Sequence, residues 1–236
     1  MFNPHPQVQY LPLGGHAACV VIDDALLAPE RLPAFAQAYR EDFQAAPPAV
    51  FPGVQLRMPE AFTALLHDVF RDHARRALGA RRVLRSASRL ALLTSPAAAL
   101  APTHWIPRRE RTFTSEQCIA VAELFLFHDT TLGGTHFFAP RVSAQALEQL
   151  EHDADALSPD AFSQRHAIAA GFPHASSAYF AHVRTVPARW NRLLIHDGAA
   201  LHAPAIADPS RLATDPRQGR LTLQAVLVCS RNRVAW

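Results

Sequence analysis

The sequence predicts an α+β fold with a β-sandwich core, on three observations. The first third of the chain carries two helical periodicities. The remainder breaks into short strand-like runs. The 19 prolines and 9 glycines are spread along all 236 residues instead of marking one linker. Short strands separated by Gly and Pro turns are the pattern of sandwiches and jelly rolls. The length suits one large domain with its own core, and residues 1–236 are expected to form a single unit.

Taken in order, residues 17–22 form a short apolar run that reads as a strand. Residues 29–43 read as a helix with Leu32, Phe35, Ala36 and Tyr39 on one face, followed by a loop over 47–53. The clearest helix spans 60–80. Phe62, Leu65, Leu66, Val69, Phe70, His73 and Leu78 follow its period, and Arg71, Arg75 and Arg76 lie off that stripe. Strands are expected over 83–94 and 119–127. A turn at 129–134 and a strand from Thr135 to Phe138 then complete a hairpin with the second of these. A helix follows over 142–152, and Ser158-Pro159 opens another, since Pro is tolerated at the first helical position. The last strands are 178–185, 192–196, 201–206 and 221–230. In the final one, period two sets Arg220, Thr222, Gln224 and Val226 on one face and Leu221, Leu223, Ala225 and Leu227 on the other.

Composition removes several function classes. With 49% hydrophobic and 18% charged residues the chain is not disordered. All 23 basic residues are Arg, so a Schiff-base lysine, a P-loop lysine and a kinase strand lysine are all excluded. A net charge of +3 does not call for nucleic acid. The run Arg71, Arg75, Arg76, Arg81, Arg82, Arg85 and Arg89 reads as a solvated helix face and lacks interleaved aromatics for base stacking. Cys19, Cys118 and Cys229 form no CxxC pair and sit in apolar surroundings, as buried free thiols of a reducing compartment do. Residues 1–15 show no leader pattern, and the longest apolar run, broken by Glu123, is too short for a bilayer. A cytoplasmic protein without membrane or nucleic-acid partners is the expectation, and its oligomeric state is not readable. The 13 histidines suggest a metal, yet neither HExxH nor a His–Cys zinc spacing is present, and no GxSxG elbow supports serine catalysis.

The second half carries a more specific pattern. Gly133-Gly134-Thr135 with Phe137, then Asn191-Arg192-Leu193, Leu201-His202 and Gly219-Arg220-Leu221-Thr222 occur in that order. Upstream stand Val20-Val21-Ile22-Asp23-Asp24 and Phe51-Pro52-Gly53. This order resembles the iron- and 2-oxoglutarate-dependent oxygenases, and more closely an uncharacterised bacterial branch of that superfamily, over nearly the whole chain. The resemblance implies a double-stranded β-helix (jelly-roll, cupin-like) core with the first helices outside. It implies Fe(II) and 2-oxoglutarate as cofactors, His202 as the distal metal ligand, and Arg220 with Thr222 and Asn191 around the cosubstrate. The chemistry is consistent with those residue types. Two His and one carboxylate leave three iron positions open, and a planar guanidinium holds a carboxylate through two parallel hydrogen bonds.

One segment departs from the resemblance. The family's Pro-His-x-Asp ligand pair aligns with Pro107-Arg108-Arg109-Glu110, downstream of Leu100, Pro102, His104 and Trp105. Arg108 therefore falls on the ligand histidine, and an arginine is never deprotonated in a protein. The departure implies a broken metal site in which Arg108 pairs with Glu110. Two rescues remain open: a displaced site of His104, Glu110 and His202, or another metal on His128, His136 and His196. Three functions follow: an oxygenase acting on a small molecule or amino-acid side chain if the metal site works, a metal-free protein that keeps the pocket for a small carboxylate or other anion, and a non-catalytic partner protein using the basic helix face.

Overall fold

A computed structural model describes residues 2–14, 17–112 and 114–231; Met1, Gly15, His16, Phe113 and residues 232–236, all within the expected unit, lie outside the described residues. Its strands are β1 (Gln7–Pro12), β2 (Ala18–Asp23), β3 (Gln44–Ala45), β4 (Gly53–Arg57), β5 (Ala80–Leu93), β6 (Gln117–Phe125), β7 (Thr135–Pro140), β8 (Phe180–Val186), β9 (Leu193–Asp197), β10 (Leu201–Pro204) and β11 (Arg220–Arg231). Its α-helices are α1 (Arg31–Ala38), α2 (Glu60–Val69), α3 (Ala144–Ala156) and α4 (Pro159–His166). The strands form two antiparallel sheets, ordered β1-β2-β9-β6-β11-β5-β4-β3 and β10-β7-β8, so the α+β class holds.

The pleat decides what each face meets. On β11, Leu221, Leu223, Ala225 and Leu227 enter a core with Leu32 and Ala36 of α1 and Phe62, Leu66 and Val69 of α2, the face that period two predicts for them. The opposite face of the large sheet meets the small one, where Cys19, Val21, Phe125 and Leu194 pack on Phe137 and Val186. Alternate residues of the small sheet, Phe138, Phe180 and Leu201, join Leu147 and Leu150 of α3 and Phe162 of α4. Ser143 and Ser158 cap those two helices by accepting from the Ala146 and Ala161 amides, and Pro159 begins α4 as expected.

Three expectations are corrected. The hairpin at 129–134 does not form, because β6 and β7 belong to different sheets. Gly133 adopts φ +80°, and a Cβ on Gly134 would stand 1.9 Å from the Val186 carbonyl oxygen; the chain crosses between the sheets there and β7 pairs with β8 and β10. The long helix stops at Val69, continues as one π turn (Phe70–Ala74) and gives way to β5 at Ala80. Arg81, Arg82, Arg85 and Arg89 thus lie on a strand, and Arg71 is paired with Asp68 and Asp72. β1 went unpredicted because it is a mostly exposed strand at the sheet edge with little apolar alternation. Cys118 and Cys229, remote in sequence, stand directly opposite each other on β6 and β11 as free thiols. No helix among the described residues is long and apolar enough to cross a membrane.

Candidate functional site

Between the sheets lies a cavity of about 50 Å³ lined by Arg89 of β5, Glu123 of β6, His196 of β9, His202 of β10, Arg220 and Gln224 of β11, and His104 and Arg108 from the segment before β6. That segment is fixed by backbone pairing. The Arg108 amide donates to the His202 carbonyl and the His202 amide to the Arg108 carbonyl, both at 2.9 Å. The pairing brings the Arg108 Nε to 3.5 Å from His202 Nε2, while another guanidinium nitrogen donates to the Val50 carbonyl at 3.3 Å.

The three histidines are held by backbone oxygens. His202 Nδ1 lies 2.9 Å from the Ala200 carbonyl and His196 Nδ1 2.9 Å from that of Asp197. A carbonyl only accepts, so each Nδ1 carries a proton and each Nε2 is a lone pair. Their rings meet edge-on with centroids 4.5 Å apart. Burial drives both below the usual histidine pKa, and the neighbouring Arg108 charge adds to the effect. His104 donates Nε2–H to the Pro48 carbonyl at 2.6 Å, and burial lowers its pKa too.

Arg220 faces the interior and is 1% exposed. It is not free of carboxylates, as its strand position alone suggested. Two of its nitrogens lie 3.2 Å from Glu123 Oε1, two more contacts reach the Gly133 and Gly134 carbonyls at 3.3 and 3.0 Å, and the guanidinium lies 5.7 and 5.8 Å from the ring centroids of Phe125 and Phe127. The other Glu123 oxygen accepts from the Thr135 hydroxyl at 2.7 Å. Arg220 is thereby a neutralised cation that ties the Gly133-Gly134-Thr135 crossing to the large sheet.

The remaining expected site residues are spread out. Thr222 is fully buried with its hydroxyl 3.5 Å from the Ala91 carbonyl. Asn191, at φ 62°, spends both ends of its amide on the Leu26 backbone at 2.9 Å, and neither residue lines the cavity. The neighbouring Arg192 holds Asp23 through two hydrogen bonds of 2.6 and 2.9 Å, so the Asp23 and Asn191-Arg192 motifs join β2 to the β9 approach. Glu110 donates its amide to the Gly198 carbonyl at 2.7 Å and makes no ion pair with Arg108 among the described residues, which corrects that expectation. The adjacent Arg109 is neutralised by Glu151 of α3 at 2.8 Å. His128 stacks on Trp190, and His136 contacts His182 and Thr185, so neither joins His196. Among the described residues no three His, Cys, Asp or Glu side chains come together to hold a metal.

Fe(II) does not fit this arrangement: a permanent cation lies within reach of the histidine lone pair that would bind it. Nor does Arg220 suit the far carboxylate of 2-oxoglutarate, because Glu123 already supplies its counter-charge.

Sequence reasoning missed Arg89 and Glu123 as cavity residues, and named His196 only in another histidine set. Arg89 Nε and Gln224 Oε1 are buried without a partner, and burial lowers the basicity of Arg89. For Glu123 the signal was available, as the lone carboxylate of an apolar strand; Gln224 shares the face predicted for Arg220.

A family model described as "Family of unknown function (DUF6445)" matches residues 4–227. The chain belongs to this family. The DUF6445 match takes in all the site residues above, from Arg89 to Gln224. No curated protein matches the sequence.

Proposed function

We propose that this chain is a metal-free anion-binding protein on the double-stranded β-helix (jelly-roll) scaffold of the iron- and 2-oxoglutarate-dependent oxygenases, with a small carboxylate as its ligand. The contact between Arg108 Nε and His202 Nε2 at 3.5 Å carries this reading. The resemblance puts two metal ligands at those positions, and a guanidinium there converts a cation site into an anion site. Support for the scaffold comes from two facing antiparallel sheets, with Arg108 and His202 paired by backbone and Arg220 inside. The cavity of about 50 Å³ holds a carboxylate head or about three to four waters. Among the described residues its only lining carboxylate, Glu123, is spent on Arg220 and Thr135, which leaves the Arg108 charge and the unpartnered Arg89 Nε for a ligand. The three free thiols support a reducing, cytoplasmic setting.

Two measurements test the reading. Anaerobic titration with Fe(II) is expected to give weak binding or none, and Arg108→His, which adds a third imidazole beside His196 and His202, to strengthen it at least about tenfold. Calorimetry with a small carboxylate is expected to show binding that Arg108→Met weakens by about 2–5 kcal/mol, the range for truncating one partner of a buried charge pair. Tight stoichiometric Fe(II) in the unmodified protein would overturn the metal-free assignment and restore the oxygenase.

A further inference from the structure

The Arg108 cavity adjoins a second, wider cleft of about 460 Å³, and the two share Arg89, Gln224, Ala225 and Val226. Arg57 and Arg89 stand opposite each other in the β4–β5 register, so their side chains leave the sheet on the same side. Gln44, Gln55, Ser88 and Gln224 complete the polar lining, and among the described residues no Asp or Glu contributes to it. Arg57, Arg89 and Arg108 make no ion pair among the described residues, whereas Arg109, Arg192 and Arg220 close by are each held by a carboxylate. Among the described residues two buried donors in the cleft, Arg89 Nε and Gln55 Nε2, have no partner, and neither has the acceptor Gln224 Oε1. The Glu110 carboxylate acts on the Arg89 charge without bonding it. A buried donor without an acceptor is costly, so the pattern describes a site whose acceptor is a ligand.

We infer that the ligand carries two oxyanions at opposite ends, one seated at Arg108 and the other between Arg57 and Arg89 in the adjoining cleft. This rests on the anion-binding reading of the Arg108 cavity and adds a second seat to it. The second seat is not the Arg220 position, whose charge Glu123 satisfies. Its chemistry accepts a carboxylate or a phosphate-type group, because paired guanidinium forks bind either through parallel hydrogen bonds. Arg89, which lines both spaces, is the shared wall and favours one extended molecule over two separate ions.

The experiment is calorimetric titration of the full chain at fixed ionic strength with butyrate, glutarate and 3-phosphonopropionate. Both dianions are expected to bind at least about tenfold more tightly than butyrate, in keeping with a second charge-assisted contact. Arg57→Met is expected to erase that advantage, and Arg108→Met to weaken all three ligands; Arg57 is exposed on the edge side of the sheet, so the fold tolerates its loss. A preference for one dianion identifies the second group as carboxylate or phosphate. Equal affinity for all three ligands, or no effect of Arg57→Met, overturns the second seat while butyrate binding keeps the Arg108 reading. Dianion binding that depends on Arg57 and not on Arg108 does the reverse. No binding of any of the three overturns both.

Discussion

Arg108, Arg109 and Arg220 show how little a residue type says without its partners. All three were visible in the sequence as charges near the expected site. Their roles differ because Glu151 neutralises Arg109, Glu123 neutralises Arg220, and no carboxylate neutralises Arg108. The Arg220–Glu123 pair is buried and supported on both sides: the Thr135 hydroxyl donates to Glu123, and two carbonyls accept from Arg220. Removing one member of such a pair strands the other, at a cost of about 3–5 kcal/mol, whereas apolar replacement of both is far milder. Urea denaturation is therefore expected to show Glu123→Gln as strongly destabilising, and Arg220→Met with Glu123→Met as less so than the sum of the single changes. Additive losses would mean that the two side chains do not act as a pair. The inward position of Arg220 was legible because period two is a property of one strand. Glu123 was not legible as its partner, since the pairing of β6 with β11 joins residues 97 apart.

At the scale of elements, the Gly-Gly-Thr motif has a mechanical meaning that its sequence setting concealed. A turn between two strand-like runs reads as a hairpin, because local patterns cannot show to which sheet the second strand goes. Here the two glycines let the crossing press against the backbone of other strands. A Cβ on Gly133 would meet the Ala205 carbonyl oxygen at 1.9 Å, and one on Gly134 the Val186 carbonyl oxygen at the same distance. Those neighbours are backbone and belong to paired segments, so they cannot rotate away. Gly134→Ala is expected to destabilise the fold by roughly 2–4 kcal/mol, from overpacking against fixed backbone. The change should also weaken anion binding, since Thr135, which follows it, holds Glu123. A melting temperature equal to that of the unmodified protein would show that the sheets can part there. The cap at Ser158 was legible for the opposite reason: capping is settled within three residues.

For the molecule as a whole, the histidines set the pH response, and the sign follows from their placement. Burial holds His104, His196 and His202 below the usual value of 6.5, and burial with the nearby His182 and His174 brings His136 down to about 4. A group whose folded pKa lies below its unfolded value is protonated first in the unfolded chain. As pH falls below 6.5 the unfolded state takes up protons that the folded state refuses, and stability declines; for His136 the decline is complete near pH 4, below which both states are protonated. The carboxylates act later. Asp23 is held below 3.8 first by its hydrogen bond from Arg192, so the stability it lends is present above 3.8 and is lost only as pH drops through its lowered folded value. Two acid phases are thus expected: a fall in the urea midpoint between pH 7 and 5 from the histidines, and a second fall below pH 4 from Asp23 and its like. His136→Gln is expected to flatten part of the first phase and leave the second untouched. A bound anion beside Arg108 opposes the first phase, because it removes part of the positive field that keeps His202 neutral. Repeating the pH series in saturating glutarate should therefore make the first phase shallower, with its onset still set by the unfolded chain, on top of a linked rise in the urea midpoint. A urea midpoint constant from pH 7 to 5, with or without the ligand, would mean that these imidazoles take up protons as readily in the folded chain as in the unfolded one, and that the space between the sheets is open to water.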